Sequence, residues 1–261
     1  MAILLGLSRL SVKALRFSLI LLPLIAITGC ASNGQQSGDP DAALADYIQL
    51  GQGYLQEGRR DQARFNLLRA LEIDSRSPEA NNVMALLYET EGEIELSKQL
   101  YQVALSSNRS YTPARMNYAR VLYAEGQFQD ARNQYEMAAS DVNYRLRPDA
   151  FLGLGLSELR LGDIESAKSA FGRALQLNPS IGPALLEVAD IAFDEREYPL
   201  ALEYLEAYER RTIETPRSLY LGIQLARVFS DQNKEQSYVL ALRSMFPESM
   251  EARQLQLEEQ N

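Results

Sequence analysis

Residues 44–77 read LADYIQLGQGYLQEGRRDQARFNLLRALEIDSRS, and the spacing of their small residues returns along the chain. Glycines and alanines at equivalent points recur 34 residues apart, at Gly58, Gly92 and Gly126 and at Ala70, Ala104 and Ala138. Gly162 and Ala174 continue the two series after one step of 36 residues. A period of this length predicts a solenoid of helical hairpins, whose units bury their apolar faces only by stacking on one another.

Within each period, the residues resemble the tetratricopeptide repeat, in which two helices cross at a small residue with bulky residues beside it. Units begin near Leu44, Pro78, Thr112, Pro148, Gly182 and Pro216. The fifth unit has Arg196 and Tyr208 in place of the usual glycine and alanine, and the sixth fits one residue short. We predict an all-α, right-handed superhelical solenoid of about six tetratricopeptide hairpins over residues 44–248, followed by a C-terminal helix and tail at 249–261.

The N-terminal segment has the pattern of a secretory leader. Arg9, Lys13 and Arg16 precede an apolar run from Phe17 to Ile27, which is too short to span about 30 Å of hydrocarbon. The run closes on Ile27-Thr28-Gly29-Cys30, which resembles the bacterial lipobox. The resemblance implies removal of residues 1–29 and lipid attachment at Cys30, with 30–43 as a polar linker and Ala31 favouring the outer membrane. A plain signal peptide is the alternative.

Composition argues against catalysis and against nucleic acid binding. The formal net charge is −9, and loss of a leader with three basic and no acidic residues makes the remainder more acidic still. The chain has no histidine, and its one cysteine is the expected lipid site, so Ser-His-Asp and Cys-His arrangements are impossible. Gly153-Leu-Gly155 lies in a predicted helix with no strand before it, so it indicates packing. We therefore expect no enzyme, cofactor, metal or small-molecule substrate.

One acidic cluster, Glu187, Asp190 and Asp194, has the spacing of residues that share one face of a helix. Like charges three and four residues apart destabilise a helix unless something neutralises them. A solvated face, a basic partner and a calcium ion are the alternatives, although the glycine-turned loop of oxygen ligands that calcium favours is missing. We keep the three residues as candidate contacts for a basic partner.

A second candidate site is an apolar groove. In tetratricopeptide proteins the first helix of each unit lines the concave surface. The corresponding positions here are apolar, which is unusual for a surface exposed only to water. Packing between units accounts for part of this set, and the remainder suggests a groove for a peptide or helix. The candidate groove residues are Ile48, Leu55, Leu86, Met116, Tyr123, Leu152 and Leu156.

Three segments resemble one particular family, the type IV pilus biogenesis and stability lipoproteins, or pilotins. They are YIQLGQGYLQEG at 47–58, ALLEVADIAFDEREY at 184–198 and RSLYLGIQLARVFSD at 217–231. The resemblance implies a scaffold anchored through Cys30 to the periplasmic face of the outer membrane. Its expected partner is the type IV pilus secretin, which it would help to localise and multimerise. The alternative is a general envelope adaptor that tethers a protease or a cell-wall synthase.

Overall fold

A computed structural model of the chain describes residues 39–260. Within that range, thirteen α-helices follow one another and there is no strand. Six hairpins are formed by α1 (Pro40–Gln56) and α2 (Arg60–Ile73), α3 (Pro78–Thr90) and α4 (Ile94–Ser107), α5 (Thr112–Ala124) and α6 (Phe128–Ser140), α7 (Arg147–Leu161) and α8 (Ile164–Leu177), α9 (Gly182–Asp194) and α10 (Tyr198–Glu209), and α11 (Pro216–Val228) and α12 (Gln232–Met245). A last helix, α13 (Met250–Gln260), packs against α11 and α12. The predicted all-α tetratricopeptide solenoid is confirmed.

The predicted leader, the anchor residue Cys30 and most of the predicted linker lie outside the described residues. The first helix begins at Pro40, four residues before the start predicted from the repeat pattern. Asp39 caps it, since its side chain accepts a hydrogen bond from the backbone N–H of Asp41 at 3.1 Å. Proline at the first helical position is already restricted to a helical φ, so the helix extends back to it. None of the helices in residues 39–260 has the length and apolar character needed to span a bilayer.

Each turn inside a hairpin contains one residue in the left-handed region. Gly58, Gly92, Gly126 and Gly162 have φ between 74° and 84°. Arg196 and Ser230 hold the same place in the last two units at φ 64° and 57°. Side chains disfavour this conformation, so the turn geometry persists in the late units even where the glycine is lost.

Close contacts between glycines and large side chains hold the two helices of a hairpin together. A Cβ placed on Gly51 would lie 2.7 Å from Leu67, and one on Gly155 would lie 2.5 Å from Phe171. A Cβ placed on Gly222 would likewise lie 2.8 Å from the ring of Tyr238. The sixth unit therefore keeps this glycine-to-ring contact, although its sequence fits the repeat one residue short. Gly153 and Gly155 both lie within α7 against aromatic rings, as the packing interpretation requires.

The core runs along the whole array as a series of small clusters centred on buried alanines and one large residue per hairpin. Tyr101, Phe171 and Leu205 are fully buried at equivalent places in α4, α8 and α10. The connection between α6 and α7, residues 141–146, is two residues longer than the connection between α8 and α9. The two additional residues account for the single step of 36 residues between Gly126 and Gly162.

Candidate functional site

The first helices of successive units lie side by side. α1 contacts α3, α3 contacts α5 and α5 contacts α7, and α9 likewise contacts α11. These helices, α1, α3, α5, α7, α9 and α11, are called the first-helix face below. All seven predicted groove residues lie on four of these helices: α1, α3, α5 and α7.

The predicted groove residues of the first unit contribute to a hydrophobic cluster between the first two units. Ile48 and Leu55 of α1 are half-buried and pack against a core that includes Leu67, Val83 and Leu87. Part of each side chain therefore already supports the stacking of α3 on the first hairpin. The remainder is accessible from the first-helix face.

The other groove candidates behave in the same way. Met116 and Tyr123 of α5 are half-buried against a cluster around Leu122, and the Tyr123 ring meets Phe128 edge to face at 5.3 Å. Leu152 and Leu156 of α7 pack against the cluster around Phe171, and Leu86 of α3 is also half-buried. These residues thus combine core packing with partial exposure, and their contact with a partner stays a prediction.

A cleft of about 310 Å³ lies beside Ile48. Its walls come from α1 and from the start of α3, whose N-cap Ser77 and first-turn residue Glu79 face Leu44, Ala45 and Ile48. The cleft thus has an apolar wall on α1, and its lining also includes polar side chains, two of them carboxylates: Asp41, Gln49, Gln52, Ser77 and Glu79. Such a cleft can receive one apolar side chain of a peptide or helix.

The opposite side of α1 is also open. Leu50 is 48% exposed, whereas Met84, which holds the equivalent place 34 residues later in α3, is 2% exposed. The difference arises because α2 covers Met84, while no described helix precedes α1. A second cleft of about 800 Å³ adjoins Leu50 and includes Asp46, Tyr54 and Arg59. The first hairpin thus offers recesses on both sides of α1.

An amide pair crosses the first-helix face between the second and third units. The side-chain nitrogen of Asn117 donates to the side-chain oxygen of Asn82 at 3.0 Å, and Asn82 is only 6% exposed. Our reading of the sequence missed this pair. Two asparagines 35 residues apart, in first helices that follow one another, could have predicted the contact.

The acidic cluster meets a basic residue of the next unit. Arg217 of α11 donates to both carboxylate oxygens of Glu187 on α9, at 2.6 and 2.8 Å. The same guanidinium contacts Asp190 as an ion pair, although Asp190 Oδ2 lacks hydrogen-bond geometry. A basic partner would have to displace Arg217 to reach these two residues. Asp194 is exposed and has no ion pair among the described residues, so it is the member of the cluster open to a partner.

Burial, together with the neighbouring carboxylates of Glu187 and Asp194, raises the pKa of Asp190 to about 6. Arg217 acts in the opposite direction but does not restore the usual value. The hydrogen bonds to Glu187 in turn raise the pKa of Arg217. Asp190 is therefore a carboxylate that titrates between acidic and neutral pH at the junction of the fifth and sixth units.

Ion pairs also link successive units at repeat spacing. Arg64, Arg132 and Lys168 hold equivalent places in α2, α6 and α8. Each pairs with a glutamate near the end of the next first helix: Arg64 with Glu91, Arg132 with Glu158 at 2.7 Å, and Lys168 with Glu195 at 2.8 Å. Glu158 is nearly fully buried, so its partner neutralises a charge inside the array.

The side chains of the first-helix face are suited to binding another polypeptide. Residues 39–260 bring no three histidine, cysteine, aspartate or glutamate side chains into a position to hold a metal ion. The first-helix face offers apolar side chains and amides instead, which are groups that recognise peptides and helices.

Comparisons with known proteins agree with the fold. Tetratricopeptide repeat models match residues 47–77, 117–167 and 152–214. The type IV pilus assembly protein PilF of Pseudomonas aeruginosa is 36% identical over 248 residues, covering 93% of this chain and 98% of that protein. The solved structure of that PilF superposes with a TM-score of 0.80 at 37% identity, over 84% of this chain and 99% of that one. PilW, described as a widely conserved type IV pilus biogenesis factor, shares the fold at a TM-score of 0.70 and 22% identity, over 81% of this chain and 97% of that one.

Proposed function

The chain belongs to the family of tetratricopeptide-repeat proteins of type IV pilus biogenesis represented by PilF, and from this premise we propose that it is a pilotin. In this role it is a non-catalytic scaffold, anchored by lipid at Cys30 to the periplasmic face of the outer membrane. There it promotes the localisation and multimerisation of the type IV pilus secretin.

The observation that carries this proposal is the relationship to PilF, which extends over 98% of that protein. The whole array is therefore related, including the late units where the generic repeat pattern is weakest. The lipobox-like sequence ending at Cys30 adds the means of attachment. The cleft beside Ile48 adds a place where an apolar segment of the secretin can dock.

Anchoring explains how a modest binding site is sufficient. When scaffold and secretin are confined to one membrane, the second contact forms at a raised effective concentration, so the complex is occupied at weak intrinsic affinity. Docking at the first unit then shields apolar secretin surface that would otherwise aggregate during assembly.

Deletion of the gene tests the role directly. Outer-membrane fractions are run on a gel that preserves the detergent-resistant secretin multimer. We expect the multimer to be lost while the secretin monomer persists. An intact multimer with lost piliation would move the role to another step of pilus assembly, and an intact multimer with normal pili would contradict the proposal and favour a general envelope adaptor.

A variant of the cleft tests the docking site. Ile48→Glu places a charge in the apolar wall, so we expect the multimer to fall. Because Ile48 also packs against the core between the first two units, circular dichroism of the variant checks that the scaffold stays folded. Leu240→Glu is the matched control, since Leu240 is an exposed leucine, 69% accessible, in the last hairpin. Equal multimer levels in the two strains would remove the cleft from the proposal.

A further inference from the structure

The connections between units, together with the first turn of α5, form a second surface that includes none of the seven predicted groove residues. A cleft of about 550 Å³ lies where the α4–α5 connection meets the end of α6 and the α6–α7 connection. Arg109 and Arg115 line it together with Thr112, Met137 and Asn143. Arg145 follows Asn143 by two residues, and the Arg147 guanidinium bonds the carbonyl of Ala139 at 2.7 Å beside it. The cleft and these four arginines, of which Arg109 and Arg115 line it, are together called the arginine cleft.

None of these four arginines forms an ion pair within 4.0 Å among residues 39–260, although the charge of Arg147 adds to the hydrogen bond from Thr112 in lowering the pKa of Asp141. Elsewhere in the array, by contrast, Arg64, Arg132 and Arg217 each pair with one. Asp141 is the one acidic residue among those lining the cleft. It already accepts hydrogen bonds from the Thr112 hydroxyl at 2.6 Å and from the backbone N–H of Asn143 at 3.0 Å. The arginine cleft is thus a positive region in a chain whose net charge is −9.

Arg115 is held in a fixed position. Its Nη1 donates to the side-chain oxygen of Gln134 at 2.8 Å, and its Nη2 donates to the backbone carbonyl of Arg109. It is half-buried, and burial lowers its pKa. A guanidinium that is partly desolvated and bonded only to neutral groups is stabilised by an incoming carboxylate.

Apolar side chains lie in the cleft and in the connection beside it: Met137 lines the cleft, and Val142 and Leu146 belong to the α6–α7 connection. Val142, in the longer α6–α7 connection, is 71% exposed, and Met137 and Leu146 are also exposed. An interface of this kind, with arginine and apolar side chains together, is suited to a peptide that alternates acidic and apolar residues.

We propose that the arginine cleft binds an acidic segment of a partner protein, with carboxylates against Arg109, Arg115 and Arg145 and an apolar side chain against Val142. The recessed position of Arg115 suits a narrow chain better than the flat surface of a bilayer. The negative charge of the whole protein also opposes approach to anionic lipid. This inference does not depend on the secretin role, because the arginine cleft includes neither the cleft beside Ile48 nor any predicted groove residue.

The probe is a short fluorescent peptide of alternating glutamate and leucine, and its counterpart with glutamine in place of glutamate. Binding to the full chain in mild nonionic detergent is followed by fluorescence anisotropy. We expect the glutamate peptide to bind with an affinity that falls as salt is added, and the glutamine peptide to bind far more weakly.

The double variant Arg109→Gln and Arg145→Gln is expected to weaken binding about tenfold, since it removes two charge-assisted contacts. These side chains donate no hydrogen bonds within the described residues, so folding should be preserved, which circular dichroism checks. The matched control is Arg60→Gln with Arg210→Gln. It changes the net charge equally at two exposed arginines that also lack ion pairs and lie in other units. Its affinity should stay within about twofold of the parent.

Several results would overturn the inference. Equal losses in the two double variants would mean general attraction by net charge, and absence of binding by the parent would remove the site. Sedimentation with phosphatidylglycerol vesicles that is lost in Arg109→Gln, Arg145→Gln would assign the cleft to lipid. A higher mass by light scattering that is lost in the same variant would assign it to a second copy of the chain.

Discussion

Glycines in α1, α7 and α11 let the second helix of each of these three hairpins pack closely against the first. Gly155 meets the Phe171 ring, whereas Gly172 in the next helix has open space where its Cβ would lie. Both occupy helices, so they carry the same penalty of backbone freedom relative to alanine. They differ only in what surrounds them, which makes them a matched pair.

We predict opposite effects of alanine at these two positions. Gly155→Ala should lower the free energy of unfolding by about 2 kcal/mol, because the new methyl group forces the Phe171 ring or the helix to move. Gly172→Ala should raise it by about 0.5–1 kcal/mol through helix propensity alone. Urea unfolding followed by circular dichroism measures both. Equal effects in the two variants would contradict the close-packing explanation.

The buried carboxylate of Asp190 predicts a dependence of stability on pH. Its pKa is raised from 3.8 to about 6, so the folded state holds the proton more tightly than the unfolded state. The contribution of this group to stability is therefore fully present below pH 3.8 and is lost as pH rises through about 6. This loss of stability arises where α9 packs against α11.

Asp190→Asn removes that loss. We expect the variant to exceed the parent in free energy of unfolding by up to about 2 kcal/mol near pH 7, and to approach it near pH 4. Arg217 keeps its two bonds to Glu187 in the variant. Asp46→Asn is the control, since Asp46 is an exposed aspartate in α1 of the first hairpin. A variant less stable than the parent at neutral pH would show that the ion pair with Arg217 outweighs the cost of burial.

At the level of helices, the stacking of one unit on the next relies on charge as well as apolar contact. The side chain of Glu158 is 6% exposed, and Arg132 of the preceding unit reaches it. A buried carboxylate that loses its partner keeps the cost of desolvation without the compensating attraction. The pair therefore couples α6 to α7.

Arg132→Gln should reduce the free energy of unfolding by about 2–4 kcal/mol. Replacing Glu158 by glutamine in the same chain should restore part of that loss, because no buried charge then remains. Arg69→Gln breaks the exposed pair with Glu72 and should cost less than about 1 kcal/mol. Denaturant titrations of the variants provide the comparison, and a loss for Arg132→Gln no larger than for Arg69→Gln would contradict it.

At the scale of the whole molecule, the proposed role assigns folding to the helical array and membrane attachment to Cys30. The part of the chain that the structure describes contains six hairpins and the helix that follows them, so we expect the array to fold without Cys30. The lipid would contribute through membrane attachment, which several acyl chains make stable.

Cys30→Ser should therefore leave the circular dichroism and the unfolding transition of the array unchanged. We expect the protein to move from the outer-membrane fraction to the soluble fraction and the secretin multimer to decrease. Fractionation and the multimer gel measure both effects. Normal multimers alongside soluble mutant protein would remove the anchor from the mechanism.

Sequence alone could predict the hairpins and their number, the turn positions that include Arg196, and the longer connection between the third and fourth units. These features follow from spacing within about 34 residues, where glycines, alanines and large residues determine how two helices cross. The apolar groove positions could be located on the right helices for the same reason. How much of each side chain the next unit covers could not be read from that spacing.

Contacts between units were set by tertiary structure. Arg217 beside Glu187, Arg132 beside Glu158, Asn117 beside Asn82 and the exposure of Leu50 all depend on how far one hairpin rotates on its neighbour. The arginine cleft likewise forms where separate connections meet at one edge. The repeat spacing determines the order of the helices and how the two helices of a hairpin cross. The stacking of one hairpin on the next determines which long side chains reach the neighbouring unit, because a few ångströms decide whether an ion pair or a hydrogen bond forms.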